Sequence, residues 1–371
     1  MRIGVPKEIK AQEYRVGLTP DAVREFTARG HSVLVEGGAG DGLRASDDAY
    51  QSAGAAIVAT APEIYAQADM IVKVKEPQPS EWPLLRRDQI LFAYLHLAPD
   101  PDQSNGLMAS GCSAIAYETV AEPDGTLPLL APMSEVAGRL AIEAAALGLR
   151  RHAGGRGLLL GGVPGVLPAK VLIIGGGVVG FNAARMAIGL GADVTVLDRS
   201  LPRLRQIDEL CQGRVRTRFS SIAAVEQEIA AADVVIGAVL VPGASAPKLV
   251  TRAMLGLMRP AAVMVDVAID QGGCFETSRA TTYDAPTFIV DGIVHYCVAN
   301  MPAAVPLTAS HALNHATLPF GLALAERGMA AVAADARLRA GLNVYRGRIT
   351  NAAVAGSLGL PYLPADDLPA A

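Results

Sequence analysis

One segment constrains this chain more than any other: Val171-Leu172-Ile173-Ile174-Gly175-Gly176-Gly177-Val178-Val179-Gly180, followed by Phe181-Asn182-Ala183-Ala184. A short apolar run of β-branched residues reads as a buried strand, and the residues after the glycines read as a helix. Gly175 permits the tight turn, Gly177 lets backbone approach a pyrophosphate, and Gly180 lets helix and strand pack closely. A G-x-G-x-x-G alone is weak evidence, but here the second half follows. The next strand, Val194-Thr195-Val196-Leu197, ends at Asp198, 18 residues past Gly180. A carboxylate there can accept hydrogen bonds from adenosine ribose hydroxyls and repels a 2′-phosphate, which favours NAD over NADP. Arg199 directly after it could reach a phosphate and keeps NADP open.

With 371 residues, two domains are the natural expectation. Apolar runs at Ile3–Val5, 32–35, 70–74, 90–95 and 113–117 alternate with helical stretches. The clearest helix runs from Pro20 to about Arg29, with Thr19 as N-cap and Gly30 beyond its end. A long helix is expected from Ser134 to about Arg151. A glycine-rich stretch then precedes a second series of strands at 170–174, 193–197, 234–238 and 262–267. A last long helix starts near Thr308 and is expected to break around Pro319. The fold class expected is α/β: two doubly wound Rossmann-like domains with parallel sheets, joined by long helices. Residues 1–128 and 307–371 would form the substrate domain, and 129–306 the NAD-binding domain.

Composition narrows the function. A net charge of −4 offers no footprint for nucleic acid. The small basic clusters, Arg86-Arg87 and Arg214 to Arg218, read as solvated faces. Cys112, Cys211, Cys274 and Cys297 form no C-x-x-C pair and suggest neither a zinc site nor a disulfide framework. Residues 1–8 run straight into a strand-like segment without a signal pattern, so a reducing cytoplasm is expected. Between Gly292 and Ala325 there is no Asp, Glu, Lys or Arg. The segment nevertheless holds three histidines and three prolines, costly in lipid, and reads as protein interior rather than membrane.

In an open α/β sheet, ligands bind beyond the carboxyl ends of the strands. Arg15 follows the first strand, Lys75 ends Ile71-Val72-Lys73-Val74-Lys75, His96 ends Leu91-Phe92-Ala93-Tyr94-Leu95-His96, and Asp270 lies just past 263–269. Taken singly, Arg15 and Lys75 could be surface charges, His96 a structural histidine and Asp270 a turn cap. Together they suit amino-acid oxidation. Two cations can hold a small carboxylate, and charge-assisted hydrogen bonds contribute about 1.5–3 kcal/mol each. Hydride leaves the α-carbon for a nicotinamide, water adds to the iminium ion and ammonia departs. His96 suits the proton transfers, and Asp270 can orient the water and stabilise the iminium charge.

With these residues in view, the chain resembles the alanine dehydrogenase family over essentially its whole length. The resemblance is carried by residues 2–8, Tyr14-Arg15-Val16, Lys73-Val74-Lys75-Glu76-Pro77 and Tyr94-Leu95-His96-Leu97-Ala98. It continues through 129–139, Gly161-Gly162-Val163-Pro164-Gly165-Val166, 266–273 and Val298-Ala299-Asn300-Met301-Pro302. The resemblance implies reversible NAD-dependent deamination of L-alanine to pyruvate and ammonia. It implies substrate binding by Arg15 and Lys75, acid/base work by His96 and assistance from Asp270. Cofactor contacts are implied at Ser134, Val178, Asp198, Ser220, Val239, Ile269, Asn300 and Met301, with Arg203 near the adenosine ribose. No metal is expected. A hexamer built on the long helices is the usual family assembly. Leu307, His311, His315 and the stretch 323–327 depart from the family pattern, which touches assembly rather than chemistry. Three other readings stand beside this one: the NAD-binding subunit of a proton-translocating transhydrogenase, an opine or saccharopine-type reductase, and a catalytically silent NAD-binding regulator.

Overall fold

The structure is a computed structural model, and it describes residues 1–239 and 246–365. The chain divides into two compact units, one made of 1–133 with 303–371 and the other of 134–302.

The first unit opens with β1 (Arg2–Val5), α1 (Pro20–Ala28), β2 (Ser32–Glu36), α2 (Asp47–Ser52), β3 (Ala56–Val58), α3 (Ala61–Gln67) and β4 (Met70–Val72). β5 (Ile90–Ala93), α4 (Pro101–Ser110) and β6 (Ser113–Ala116) follow, and the chain leaves this unit within α5 (Ala131–Gly148). α1 starts where its caps predict: the Thr19 hydroxyl accepts the Ala22 N–H at 3.4 Å and Pro20 sits in the first turn.

The second unit runs β7 (Lys170–Ile174), α6 (Val178–Gly189), β8 (Asp193–Asp198), α7 (Leu201–Cys211), β9 (Val215–Phe219), α8 (Ile222–Ala231), β10 (Val234–Gly237), β11 (Val263–Asp266), β12 (Thr287–Val290) and β13 (Ile293–Tyr296). The first unit then resumes with α9 (Pro306–Arg327), α10 (Met329–Ala334), α11 (Ala336–Gly341), β14 (Leu342–Tyr345), β15 (Arg348–Ile349) and α12 (Ala352–Leu358).

Each unit is an α/β layer built on one sheet. In the first the order is β15-β14-β6-β5-β4-β1-β2-β3, and in the second β12-β13-β11-β10-β7-β8-β9. All pairs are parallel except at one end of each sheet, where β14 lies antiparallel to both β6 and β15, and β12 to β13. These antiparallel additions escape a reading tuned to parallel strands, although a local signal exists for both hairpins. Asp291-Gly292 and Arg346-Gly347 each place two successive residues at positive φ, the requirement of a two-residue primed turn. The basic cluster at 214–218 lies mostly on β9, an edge strand. Arg216 pairs with Asp193 at 2.5 Å and Arg218 with Glu228 at 2.8 Å, a charged edge that discourages pairing with another chain.

Burial on both sheet faces explains the unbroken apolar runs. In the first unit Ile3, Val5, Val72 and Phe92 pack on one face with Phe26, Leu313 and Phe320, while Ile71, Leu91 and Ala114 pack on the other with Ile64 and Tyr65. In the second, Val171, Ile173 and Ile236 face the Ala183/Ala184 side of α6, and Leu172, Ile174 and Val235 face Ile229 and Phe275.

α9 corrects one expectation. It runs unbroken through Pro319. Both Pro319 and His315, the residue whose carbonyl loses its partner, are exposed, so water can satisfy that oxygen. Leu313 and Leu324 bury the same helix on either side of the proline, and that packing outweighs the local cost of about 3 kcal/mol. No helix among the described residues is long and apolar enough to cross a membrane.

Candidate active site

Strand order changes direction at β1/β4 in the first sheet and at β7/β10 in the second, the crevices where such sheets bind ligands. In the first unit the carboxyl ends of β1, β4, β5 and β6 lead into Glu8, Lys73 to Lys75, His96 and Glu118.

Arg15 is not a surface charge: it is 2% exposed. Its Nε donates to Glu13 Oε1 at 2.7 Å, its Nη2 to Glu13 Oε2 at 2.5 Å, and its Nη1 to Met133 Sδ at 3.0 Å. Burial by itself would lower the guanidinium pKa, but hydrogen bonds and charge from Glu13, with Tyr94 and Glu8, outweigh it and raise it. Arg15 is therefore a fixed cation, oriented by a fork-to-fork carboxylate pair.

Lys75 is also buried, at 7% exposure, and its neighbour Lys73 is wholly inaccessible. Lys73 Nζ stands 3.1 Å from Glu8 Oε2 and 3.0 Å from Glu81 Oε1, with Tyr65 donating to Glu81 at 2.9 Å. Burial opposes the ammonium charge, yet the two carboxylates more than offset it and raise the Lys73 pKa. Burial pushes the Glu8 carboxyl upward against the pull of Lys73. Glu8 Oε1 also accepts the N–H of Val74 at 2.6 Å and of Lys75 at 3.3 Å, so it pins the loop that carries Lys75. Beside it, Glu76 is held below the usual carboxylate range. Burial alone would raise it, and Lys75 with the ion-paired Lys10 overcomes that.

His96 has φ +49°, in the left-handed region that few non-glycine residues occupy. Its N–H donates to Glu118 Oε1 at 2.6 Å, and the Leu95 N–H reaches both Glu118 oxygens at 3.2 Å. The imidazole is 39% exposed, stacks on Tyr94 with an interplanar angle of 7°, and places Nδ1 3.9 Å from Glu118 Oε1. Tyr94 is anchored by its hydroxyl, which donates to the Leu129 carbonyl at 2.5 Å.

In the second unit the glycines make the tight turn and the close helix–strand packing that their spacing predicts. Gly175 has φ +102°. A Cβ on Gly180 would lie 1.8 Å from the Gly175 carbonyl oxygen, and one on Gly175 2.6 Å from the Ala238 oxygen. A Cβ on Gly177 would meet nothing within 4 Å, and no side chain caps the helix that begins there. An uncapped helix N-terminus with an open cradle fits a dinucleotide pyrophosphate. Val178, the first residue of α6, is exposed beside it.

Asp198 ends β8, and its carboxylate accepts the Gly176 N–H and the Ser200 N–H, each at 2.7 Å. Arg203 Nε donates to the Gly176 carbonyl at 2.5 Å, and its guanidinium lies 5.1 Å from the Phe181 ring centre. Burial lowers the Arg203 pKa, with Asp198 opposing. Arg199 is exposed. Ser220 follows β9, where its N–H donates to the Asp198 carbonyl at 2.9 Å. Val239 follows β10, and its carbonyl accepts from Cys274 Sγ at 3.4 Å. Ile269 is buried in a single 3-10 turn, Ile269–Gln271, that also carries the exposed Asp270. Asp270 Oδ2 accepts the Asn300 N–H at 3.4 Å, and Asn300 itself has φ +60°. Met301 is buried, its carbonyl accepting from the Tyr283 hydroxyl at 2.7 Å. Ser134 is half-buried in the first turns of α5.

Four residues escaped the sequence reading. Glu8 and Glu118 follow strands β1 and β6, so the strand-end argument that selected Lys75 and His96 could have found them. Glu13, two residues from Arg15, carried no separate signal. Gly138 is the fourth: a Cβ there would lie 2.2 Å from the Val179 carbonyl, so α5 needs glycine to rest against α6. Among the described residues, no three His, Cys, Asp or Glu side chains are grouped as a metal site.

Fold and site define a two-unit α/β protein, one unit with a strand, glycine turn and helix of the dinucleotide-binding pattern, the other carrying the buried cations Arg15 and Lys75 and a histidine in left-handed backbone. The chain belongs to the alanine dehydrogenase/PNT family. Residues 4–137 match that family's N-terminal domain and residues 141–352 its C-terminal domain. An alanine dehydrogenase of Halomonas elongata is 56% identical over 99% of this chain and its own full length. One from Mycobacterium tuberculosis is 53% identical, covering 98% of each. A solved L-alanine dehydrogenase superposes with a TM-score of 0.94 at 50% identity, covering 97% of this chain and 99% of its own. A solved transhydrogenase from Sinorhizobium meliloti is also similar, with a TM-score of 0.81 at 27% identity over 95% of this chain and all of its own.

Proposed function

We propose that this chain catalyses the reversible, NAD-dependent oxidative deamination of L-alanine to pyruvate and ammonia, as a hexamer in the cytoplasm. The observation that carries the reading is the pair of buried cations, Arg15 and Lys75, in the unit that presents His96 in a left-handed backbone. The activity is supported by relatives named alanine dehydrogenase at above 50% identity across nearly the full chain.

NAD, bound at Gly175, Gly177, Val178, Gly180 and Asp198, supplies the acceptor for the hydride of the substrate α-carbon. Arg15 binds the substrate carboxylate. Glu13 grips the guanidinium through Nε and Nη2 and fixes its orientation, and the Lys75 ammonium joins Arg15 in holding the carboxylate. Both cations are desolvated before substrate arrives, which strengthens the attraction and fixes the α-carbon. His96 takes a proton from the attacking water at an imidazole nitrogen and returns one to the leaving ammonia. Asp270 stabilises the positive iminium nitrogen. Asp198 receives the ribose hydroxyls, which makes NAD the cofactor despite Arg199.

The test is spectrophotometric: NADH formation with a panel of L-amino acids, and NADH consumption with pyruvate plus ammonia. Turnover with alanine and not with larger amino acids is expected. Silence in both directions overturns the reading. Alanine alone must reduce NAD; a requirement for a second nucleotide would instead favour the transhydrogenase alternative.

A further inference from the structure

We propose that Glu118 is a positioning residue for His96, acting through the His96 backbone; the inference rests on the reading of His96 as the acid/base group. β5 and β6 are parallel neighbours with Ala93 beside Ala116, so the residues that follow them, 94–96 and 117–118, emerge side by side. From there the Glu118 carboxylate, 14% exposed, gathers two successive backbone N–H groups, those of Leu95 and His96. Two successive amides converging on one anion make a backbone nest.

The nest explains why a histidine sits at φ +49°. A left-handed backbone crowds the Cβ of any residue but glycine, and it persists only where the surroundings over-determine it. The 2.6 Å charge-assisted contact from the His96 N–H to this carboxylate is such a constraint. The left-handed turn in turn swings the imidazole onto the Tyr94 face with the rings nearly parallel, and brings Nδ1 to within 3.9 Å of the same carboxylate. One carboxylate therefore sets both the direction of the ring and the charge beside it. Without the nest, His96 relaxes to negative φ and its reactive nitrogen leaves the substrate.

A kinetic cycle with Glu118→Gln, Glu118→Ala, His96→Gln and the His96→Gln/Glu118→Gln pair tests this. Displacement of a reacting group by about 1 Å costs on the order of 100-fold. The Ala variant is therefore expected to lose roughly 10- to 100-fold in kcat. The KM for alanine and the Kd for NAD stay within about two-fold, because Arg15, Lys75 and the dinucleotide site are untouched. The Gln variant keeps one acceptor oxygen and recovers part of the rate. In the double variant Glu118→Gln adds nothing to the loss from His96→Gln, since both remove the same contribution. Should Glu118→Ala fail to fold, the isosteric Gln variant and its cycle carry the test. Wild-type kcat in both Glu118 variants, or losses that multiply in the double variant, overturn the proposal while leaving His96 its role. Wild-type kcat in His96→Gln overturns the acid/base reading itself, and this inference with it.

Discussion

Gly180 and Gly175 touch backbone to backbone: a single Cβ on Gly180 would stand 1.8 Å from the Gly175 carbonyl oxygen. Neither partner can yield, because Gly175 holds φ +102° at the end of β7 and Gly180 lies in the first turn of α6. Gly180→Ala should push the helix off the sheet, lowering stability by about 1–3 kcal/mol as overpacking does, and weakening NAD binding with it. Gly177→Ala should separate the two effects. Its Cβ meets no protein atom, so the melting temperature should hold while NAD affinity falls. Calorimetric melts and NAD titrations of both variants check this, and equal melting temperatures for the two would contradict the packing argument.

Arg15 is predicted to act in substrate binding rather than in turnover. Arg15→Lys keeps the charge but cannot hold both the Glu13 fork and a substrate carboxylate. A loss of about 1.5–3 kcal/mol, roughly 10- to 150-fold, is expected, mainly in the KM for alanine. Initial rates across alanine concentrations measure it. A fall confined to kcat would assign Arg15 elsewhere.

Asp198 is predicted to select the cofactor. Asp198→Ala removes the carboxylate that repels a 2′-phosphate, and it leaves Arg199 and Arg203 near that position. The ratio of NAD to NADP efficiency should fall by roughly ten-fold or more, equivalent to about 1.4 kcal/mol. The Gly176 and Ser200 amides also lose their acceptor, so NAD binding itself should weaken. An unchanged ratio would move the discrimination away from Asp198.

His295 makes the second unit sensitive to acid. Its ring is fully buried, hydrogen bonded to Thr277 Oγ1 at 2.8 Å and to the Ile293 carbonyl at 3.0 Å. Burial lowers its pKa below the ordinary value of 6.5. A depressed folded pKa contributes stability that is present above the unfolded value and is lost as pH falls through the folded one. Melting temperature should therefore decline from about pH 6.5 downward. His295→Gln, which retains hydrogen-bonding capacity without a titrating ring, should flatten that decline. Parallel slopes for the two proteins would exclude His295 as the cause.

Much of this protein was legible along the chain because the relevant physics is local. The Thr19-Pro20 start of α1, the glycine turn before α6 and the buried parallel strands each follow from neighbours a few residues apart. Strand ends alone pointed to Lys75, His96 and Asp270. The local periodicity could not say that α9 continues through Pro319, since packing on both sides of the proline overrides its penalty.

Sequence by itself determined the α/β class, the dinucleotide motif and the residue types available for chemistry. Tertiary structure decided which charges are buried and what orients them. Asn314 bonds the Thr19 N–H at 2.7 Å and the Gly17 carbonyl at 2.9 Å, tying the loop after Arg15 to a helix nearly 300 residues away. Glu118 holds His96 from the end of the neighbouring strand β6, and Glu8 holds the Lys75 loop from the end of β1, beside β4. Such partners cannot be read from spacing, because a carboxylate finds its donors through sheet order and not through distance along the chain.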